Sequence, residues 1–223
     1  MKKTIDIPFA LIKFGSHKNM LKLMNDGELR FSLSKEYNDL INEKQRGDLY
    51  EGAEKIINSQ VLKIETKHPT LGNYAFKPVV GKLSKLMQFN YYYLTYSLYS
   101  ISPRNFIDKN EHKIDKEHLK FGDTAIFITK PLEFLNAITS QLKKEKLEYE
   151  MNFIEYLNYE KEGEIEINPF NKKSEHSHQM EFRIIIKNIN NTPQFLRIGS
   201  IAKYASLVTS QSMIETDWLA KRK

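Results

Sequence analysis

Apolar positions change their period along this chain, and the changes mark its elements. Residues 8–14 are nearly all apolar and predict a first strand. Ser16 then caps a short helix that carries Met20, Leu21 and Met24 on one side and stops at Gly27. Leu29-Arg30-Phe31-Ser32-Leu33 alternates as a half-buried second strand. Residues 34–52 are polar and read as a surface loop with one helical turn. A strand over 56–66 and a turn over 68–72 follow. The strongest strand signal spans 89–101, rich in aromatic and hydroxyl side chains.

Residues 102–120 are polar and predict irregular structure, and 123–129 predict another short strand. Pro131 opens a helix with Leu135, Ile138 and Leu142 at spacings of three and four. Beyond it the pattern predicts strands over 149–159, 180–187 and 195–198, a polar loop over 161–177 and a last helix over 201–208. Strands and helices mix without strict strand–helix alternation. The expectation is a single α+β domain over residues 1–223, with a mixed, largely antiparallel sheet flanked by a few helices.

Composition narrows the chemistry. The chain has 223 residues and no Cys, which excludes disulfides, thiol catalysis and Cys-ligated metal sites. No stretch reaches the roughly 20 apolar residues of a membrane helix. Two lysines open the chain, but the apolar run behind them is broken at Asp6, Pro8 and Lys13, so no signal core forms. The expected location is the cytoplasm, with no membrane partner. Net charge is +6, yet the 34 basic residues are interspersed with 28 acidic ones. A nucleic-acid reader shows a concentrated basic face instead, so nucleic acid is the weaker partner class.

One strand carries candidate chemistry. Side chains alternate across Glu181-Phe182-Arg183-Ile184-Ile185-Ile186-Lys187. Phe182, Ile184 and Ile186 face a core, while Glu181 and Arg183 are neighbours on the other side. A carboxylate placed so can act as a base, orient a hydroxyl or stabilise a developing cation. The same pattern also fits a solvated face with an ordinary ion pair. His17 follows the first strand, where a side chain reaches a cleft over a sheet. Tyr37, Asp39, Arg46, Asp48 and Glu51 form a dense polar cluster in the 34–52 loop, and loops often carry function. His176 and His178 offer two imidazoles on a strand face, too few for a metal site, and no metal ligands are assigned. His112 and His118 show no pattern. There is no Gly-rich phosphate loop and no Gly-x-Ser-x-Gly elbow.

Several short motifs stand in a fixed order. They are Phe14-Gly15-Ser16-His17, Asn25-Asp26-Gly27, Tyr37-Asn38-Asp39, Arg46-Gly47-Asp48-Leu49-Tyr50-Glu51-Gly52, Phe121-Gly122-Asp123, Gln179-Met180-Glu181-Phe182-Arg183 and Ile198-Gly199-Ser200-Ile201. Over most of its length the chain resembles DUF2971, an uncharacterised family of bacterial and phage proteins, which brings no activity with it. It is also similar to ADP-ribosyltransferase-like folds, with a first strand bearing a polar residue, a short helix ending near Gly and a Glu on a late strand. That resemblance implies an enzyme cleaving the N-glycosidic bond of NAD, with NAD as substrate rather than resident cofactor. It implies that Glu181 stabilises the ribose cation, His17 holds the ribose or nicotinamide side, and Tyr37 or Tyr96 stacks on nicotinamide. Arg46 or Arg183 would bind phosphate. The middle motif of those enzymes has no recognisable counterpart. Two rivals remain. One is a non-enzymatic module of bacterial defence or phage counter-defence, offering the Tyr91–Tyr99 strand to a protein partner. The other is a metal-dependent nuclease or nucleic-acid-binding domain, with Asp39, Asp48 and Glu51 as metal ligands.

Overall fold

A computed structural model describes residues 7–39, 48–58, 64–70, 72–76, 86–89, 93–107, 109–161, 163–187 and 192–221. The first part of the chain holds β1 (Ala10–Gly15), α1 (His17–Asp26), β2 (Glu28–Leu33) and α2 (Ser34–Asp39). Next come β3 (Ala53–Asn58), β4 (Ile64–His68), β5 (Gly72–Phe76), β6 (Leu86–Phe89), β7 (Tyr93–Ile101), β8 (Glu111–His112) and β9 (Thr124–Ile128). After α3 (Pro131–Lys144) follow β10 (Tyr149–Phe153), β11 (Glu155–Leu157), β12 (Gly163–Glu166), β13 (Asn171–Lys173) and β14 (Glu181–Lys187). The chain continues through β15 (Gln194–Arg197), β16 (Ala205–Thr209), α4 (Ser210–Glu215) and β17 (Trp218–Leu219).

The fold is α+β. Its main sheet has the order β10-β14-β7-β1-β9-β16, with β2 attached to β7 and β15 to β2. All pairings in it are antiparallel, and the described parallel pair is the short β11–β13. One face of the sheet packs Leu11, Leu98, Phe182, Ile184 and Ile186 against Met20 and Leu23 of α1 and Phe134, Ile138 and Leu142 of α3. The other face carries a smaller apolar cluster around Ile12, Phe14, Tyr99 and Met213.

The centre of this sheet is split. Along one edge β7 pairs with β14 from Tyr93 to Tyr99. Its other edge is shared. β2 takes Leu94 and Thr95, and β1 takes Tyr99 to Ile101. Past Ile12, β1 continues on β9 alone, and the earlier residues of β2 pair with β15. The middle of β7 therefore faces a gap between two diverging strands. A backbone carbonyl in such a gap needs a substitute partner. Lys13 supplies it, donating from Nζ to the Ser97 carbonyl at 2.7 Å.

Gly27 fixes the entry to β2. It ends α1 in the left-handed region at φ 60°, and a Cβ there would lie 2.1 Å from the Gly199 carbonyl oxygen. Both facts penalise a side chain. Gly27→Ala is expected to lose about 1–3 kcal/mol in thermal unfolding. A variant that melts with wild type would show that the Gly199 turn yields freely.

Several sequence expectations need correction. Residues 201–208 are not a helix: Ala205 to Thr209 form β16, whose alternation is satisfied against β9. The helix starts later, where Thr209 accepts a bond from the Ser212 N–H. In the 34–52 stretch α2 supplies the expected helical turn, but Asp48 and Glu51 are buried rather than on the surface, and residues 40–47 lie outside the described residues. The strand over 149–159 breaks at Ile154, whose N–H donates to the Glu181 carbonyl. The polar 161–177 stretch contains β12 and β13, and a 3₁₀ turn over Ser174–Gln179 places His176 and His178 off any strand. Among the described residues no helix is long and apolar enough to cross a membrane.

Candidate functional site

Alternation along β14 sends Glu181 and Arg183 to the face opposite Phe182, and that face is buried. Glu181 is 6% exposed and Arg183 2%. The register sets Arg183 beside Ser97 and Glu181 beside Tyr99 on β7. The Ser97 hydroxyl donates to Glu181 Oε1, and Arg183 Nε donates to the same oxygen at 2.7 Å. Lys172, brought in by β13, donates to Glu181 Oε2 at 3.3 Å and to Gln179 at 2.7 Å. The guanidinium also holds Glu51 in a fork, with Nη1 at 2.8 Å and Nη2 at 3.0 Å from its two oxygens. Its remaining contact is to the Pro169 carbonyl at 2.7 Å. Forked pairs of this kind are the stronger, geometrically specific ones.

The electrostatics follow from burial and charge. Burial disfavours ionised Glu181, but Arg183, Lys172 and the Arg183 and Ser97 hydrogen bonds outweigh it and hold the carboxyl far below its usual range. Burial likewise opposes the Lys172 charge, and Glu181 and Asp48 overcome it, raising its pKa. Glu51 moves the other way. Burial pushes its carboxyl up, with Asp48 adding to the push, against the pull of Arg183. Glu181 is thus the firmly anionic member of the group.

These residues wall a cavity of about 580 Å³ that opens in the gap between β1 and β2. Small-molecule sites typically measure roughly 300–1,000 Å³. Glu181, Arg183, Glu51, Lys172, Ser97 and Lys13 all line it. So do the aromatic rings of Tyr37, Tyr96, Tyr99, Phe121 and Phe195. Lys13 lies over the Tyr96 ring at 4.5 Å. No family model, curated protein or solved structure matches the chain.

The structure brings Glu181, Arg183, Glu51 and Tyr37 to one cavity. Tyr37 is partly buried beside the hydroxyls of Ser32 and Thr95. Asp48 sits behind the wall, buried, accepting the Tyr50 N–H at 2.9 Å. His17 stands apart. It is exposed, near Thr124 Oγ1 at 3.3 Å, and not part of the cavity wall. Asp39 ends α2 with its side chain outside the described residues, and Arg46 lies outside them altogether. Arg183 spends four of its five N–H donors on Glu181, Glu51 and the Pro169 carbonyl, so here it holds carboxylates. Among the described residues no three His, Asp or Glu side chains gather as a metal site. The tyrosines of the aromatic strand turn inward, Tyr96 at 3% and Tyr99 at 4% exposure, while Tyr91 and Tyr92 lie outside the described residues.

Three site residues were missed by sequence reasoning. Lys13 interrupts an apolar strand, Ser97 breaks an aromatic run, and Lys172 sits in a stretch that reads as loop. The first two carried a signal, since each is polar where its strand is otherwise apolar or aromatic.

His118 was also passed over. It is buried on the cavity wall, its ring packed on Phe14 at 5.1 Å and Tyr99 at 4.8 Å, with His178 at 6.1 Å. Its Nδ1 faces the Asp115 carbonyl at 3.0 Å, which can only accept, so Nδ1 carries the proton. Burial lowers its pKa from 6.5 to about 4. A depressed folded pKa gives stability that is complete above the unfolded value and drains as pH falls toward the folded one. At about 1.4 kcal/mol per unit, up to about 3 kcal/mol is expected to go between pH 6.5 and 4. Urea unfolding at several pH values measures it. His118→Phe keeps the ring packing and should flatten the slope, and an unchanged slope would assign the acid loss elsewhere.

Proposed function

We propose that the chain cleaves the N-glycosidic bond of a nicotinamide dinucleotide, with Glu181 as the catalytic carboxylate. The observation that carries this reading is a buried, firmly anionic Glu181 on the wall of a cavity large enough for a nucleotide. Departure of neutral nicotinamide leaves positive charge at the ribose anomeric carbon. A fixed anion beside that carbon stabilises the charge as it develops, without rearranging solvent. Water then adds to the anomeric carbon and releases a proton, giving ADP-ribose.

The arrangement also supports the likeness to ADP-ribosyltransferase-like folds. β1 bears one inward cation, α1 ends at Gly27, and Glu181 opens a late strand. On this reading Lys13 replaces His17 as the polar residue of the first strand. Ser97 stands between Lys13 and Glu181, bonded to both through its carbonyl and hydroxyl. Arg183 and Lys172 position the carboxylate rather than touch substrate.

Nicotinamide release from NAD, followed by chromatography for wild type and Glu181→Gln, tests the proposal. Release by wild type that collapses in the variant supports it. Release by neither, with no thermal shift on adding NAD or ADP-ribose, leaves the ion network as a structural device and ends the enzymatic reading.

A further inference from the structure

The polar face of β2 extends the cavity wall away from Glu181. Leu29 and Phe31 enter the core, while Glu28, Arg30 and Ser32 alternate with them and line the cavity. Ser32 lies beside Thr95 on β7 in the register, and Arg30 lies beside Phe195 on β15. Leu196 is buried in the core, so its neighbour Phe195 points to the cavity side. Phe195 is 55% exposed. Its ring therefore adds little to the core, yet it flanks the cavity next to a guanidinium. Arg30 donates to Ser32 Oγ at 2.7 Å and to Glu36 at 2.7 Å, and its side chain is 47% exposed. An exposed ion pair of that kind contributes little, so an anionic ligand can displace Glu36.

We infer that Phe195 is the stacking platform for the purine at the far end of a dinucleotide, with Arg30 taking its diphosphate. The inference rests on the reading of Glu181 as the carboxylate acting at the anomeric carbon. From β14 across β7 and β2 to β15 there are three strand spacings, about 14 Å. A mononucleotide does not bridge that distance from Glu181, whereas two ribosides joined by a diphosphate do. An aromatic face accepts a purine because every base presents a π-surface. The site thus selects a dinucleotide over nicotinamide mononucleotide by what it offers far from the bond that breaks.

Calorimetric titration of ADP-ribose into wild type, Phe195→Ala and Phe195→Trp tests this, with nicotinamide release from NAD measured in parallel. The exposure of Phe195 makes all three expected to fold alike, which matching thermal melts would verify. Loss of the ring should weaken ADP-ribose binding by about tenfold or more, and Trp should restore it. Binding to Phe195→Ala within twofold of wild type overturns the inference while leaving Glu181 untouched. Equal weakening by Ala and Trp overturns it as well, since a stacking platform tolerates the larger ring. A wild type that takes up no ADP-ribose overturns it too. If that wild type also releases no nicotinamide, the proposed function falls with it.

Discussion

Arg183→Ala is expected to cost about 3–5 kcal/mol of stability. The guanidinium is the shared partner of two buried carboxylates, bonded to both oxygens of Glu51 and to Glu181 Oε1. Without it, Glu181 keeps Lys172 and Ser97, but Glu51 keeps no described cation within bonding distance. The cost is that of a stranded buried charge, larger than the net worth of the intact pair. Urea unfolding at pH 7 measures it. The deficit should shrink at pH 5. Burial already pushes the Glu51 carboxyl up, and losing Arg183 pushes it further, so mild acid lets the folded state bind a proton and relieves the penalty. Arg183→Lys should rescue little, because a point charge cannot fork across Glu51 while bonding Glu181. A loss under about 1 kcal/mol would mean that water reaches the network freely, contrary to its burial.

Glu181→Gln is expected to lower the rate of nicotinamide release by about 10²–10³-fold, the usual scale for removing one preorganised electrostatic contact. The amide oxygen can still accept from Arg183 and Ser97, so the cavity keeps its shape and KM should move only a few-fold. The charge is what disappears, and it matters when the anomeric carbon becomes cationic. The pH profile separates this role from simple scaffolding. Arg183 and Lys172 hold Glu181 far below the ordinary glutamate value of 4.5, so its anion persists in acid. The wild-type rate should therefore show no limb from Glu181 near pH 4.5, and any fall there should follow loss of fold through groups such as His118. A Gln variant turning over within threefold of wild type would remove Glu181 from the mechanism.

How much of this was legible in the sequence varied with the range of the interactions. β1, α1 and β2 were readable because each is local: an apolar run, a helical stripe and a Gly that only a left-handed turn requires. The two faces of β14 were readable for the same reason, since alternation along seven residues sorts Glu181 and Arg183 from Phe182. What alternation does not say is whether a polar face meets water or another polar segment. Glu51 and Lys172 come from stretches with few apolar residues, which read as solvated loops. Glu51 is buried against a partner 132 residues away, and Lys172 against Gln179 and Glu181, seven and nine residues on but across a turn that alternation does not read. His17 was attractive because it follows a strand directly, yet the inward cation is Lys13, inside the strand where the sheet splits. Lys13 was marked as a polar residue in an apolar strand, but where β1 leaves β7 depends on its pairing with β9, which the residues of β1 alone do not show. The misread 201–208 segment shows the opposite error: its apolar residues fit a helical period, but a sheet edge on β9 was available and won.

The sequence distances within the site also set a timetable for its making. Glu51 meets Arg183 across 132 residues, and Ser97 meets Glu181 across 84. A ribosome adds about 5–20 residues per second, so roughly 4–17 s separate the emergence of Ser97 from that of Glu181. Through that interval Glu51 and Ser97 have neither Arg183 nor Glu181 to close on, and the gap in the sheet lacks the wall that β14 supplies. Contacts so remote in sequence also make for slow folding. The site is therefore absent from the nascent chain, and it is assembled only when the segment carrying Glu181 and Arg183 has been made and folded back onto Glu51 and Ser97.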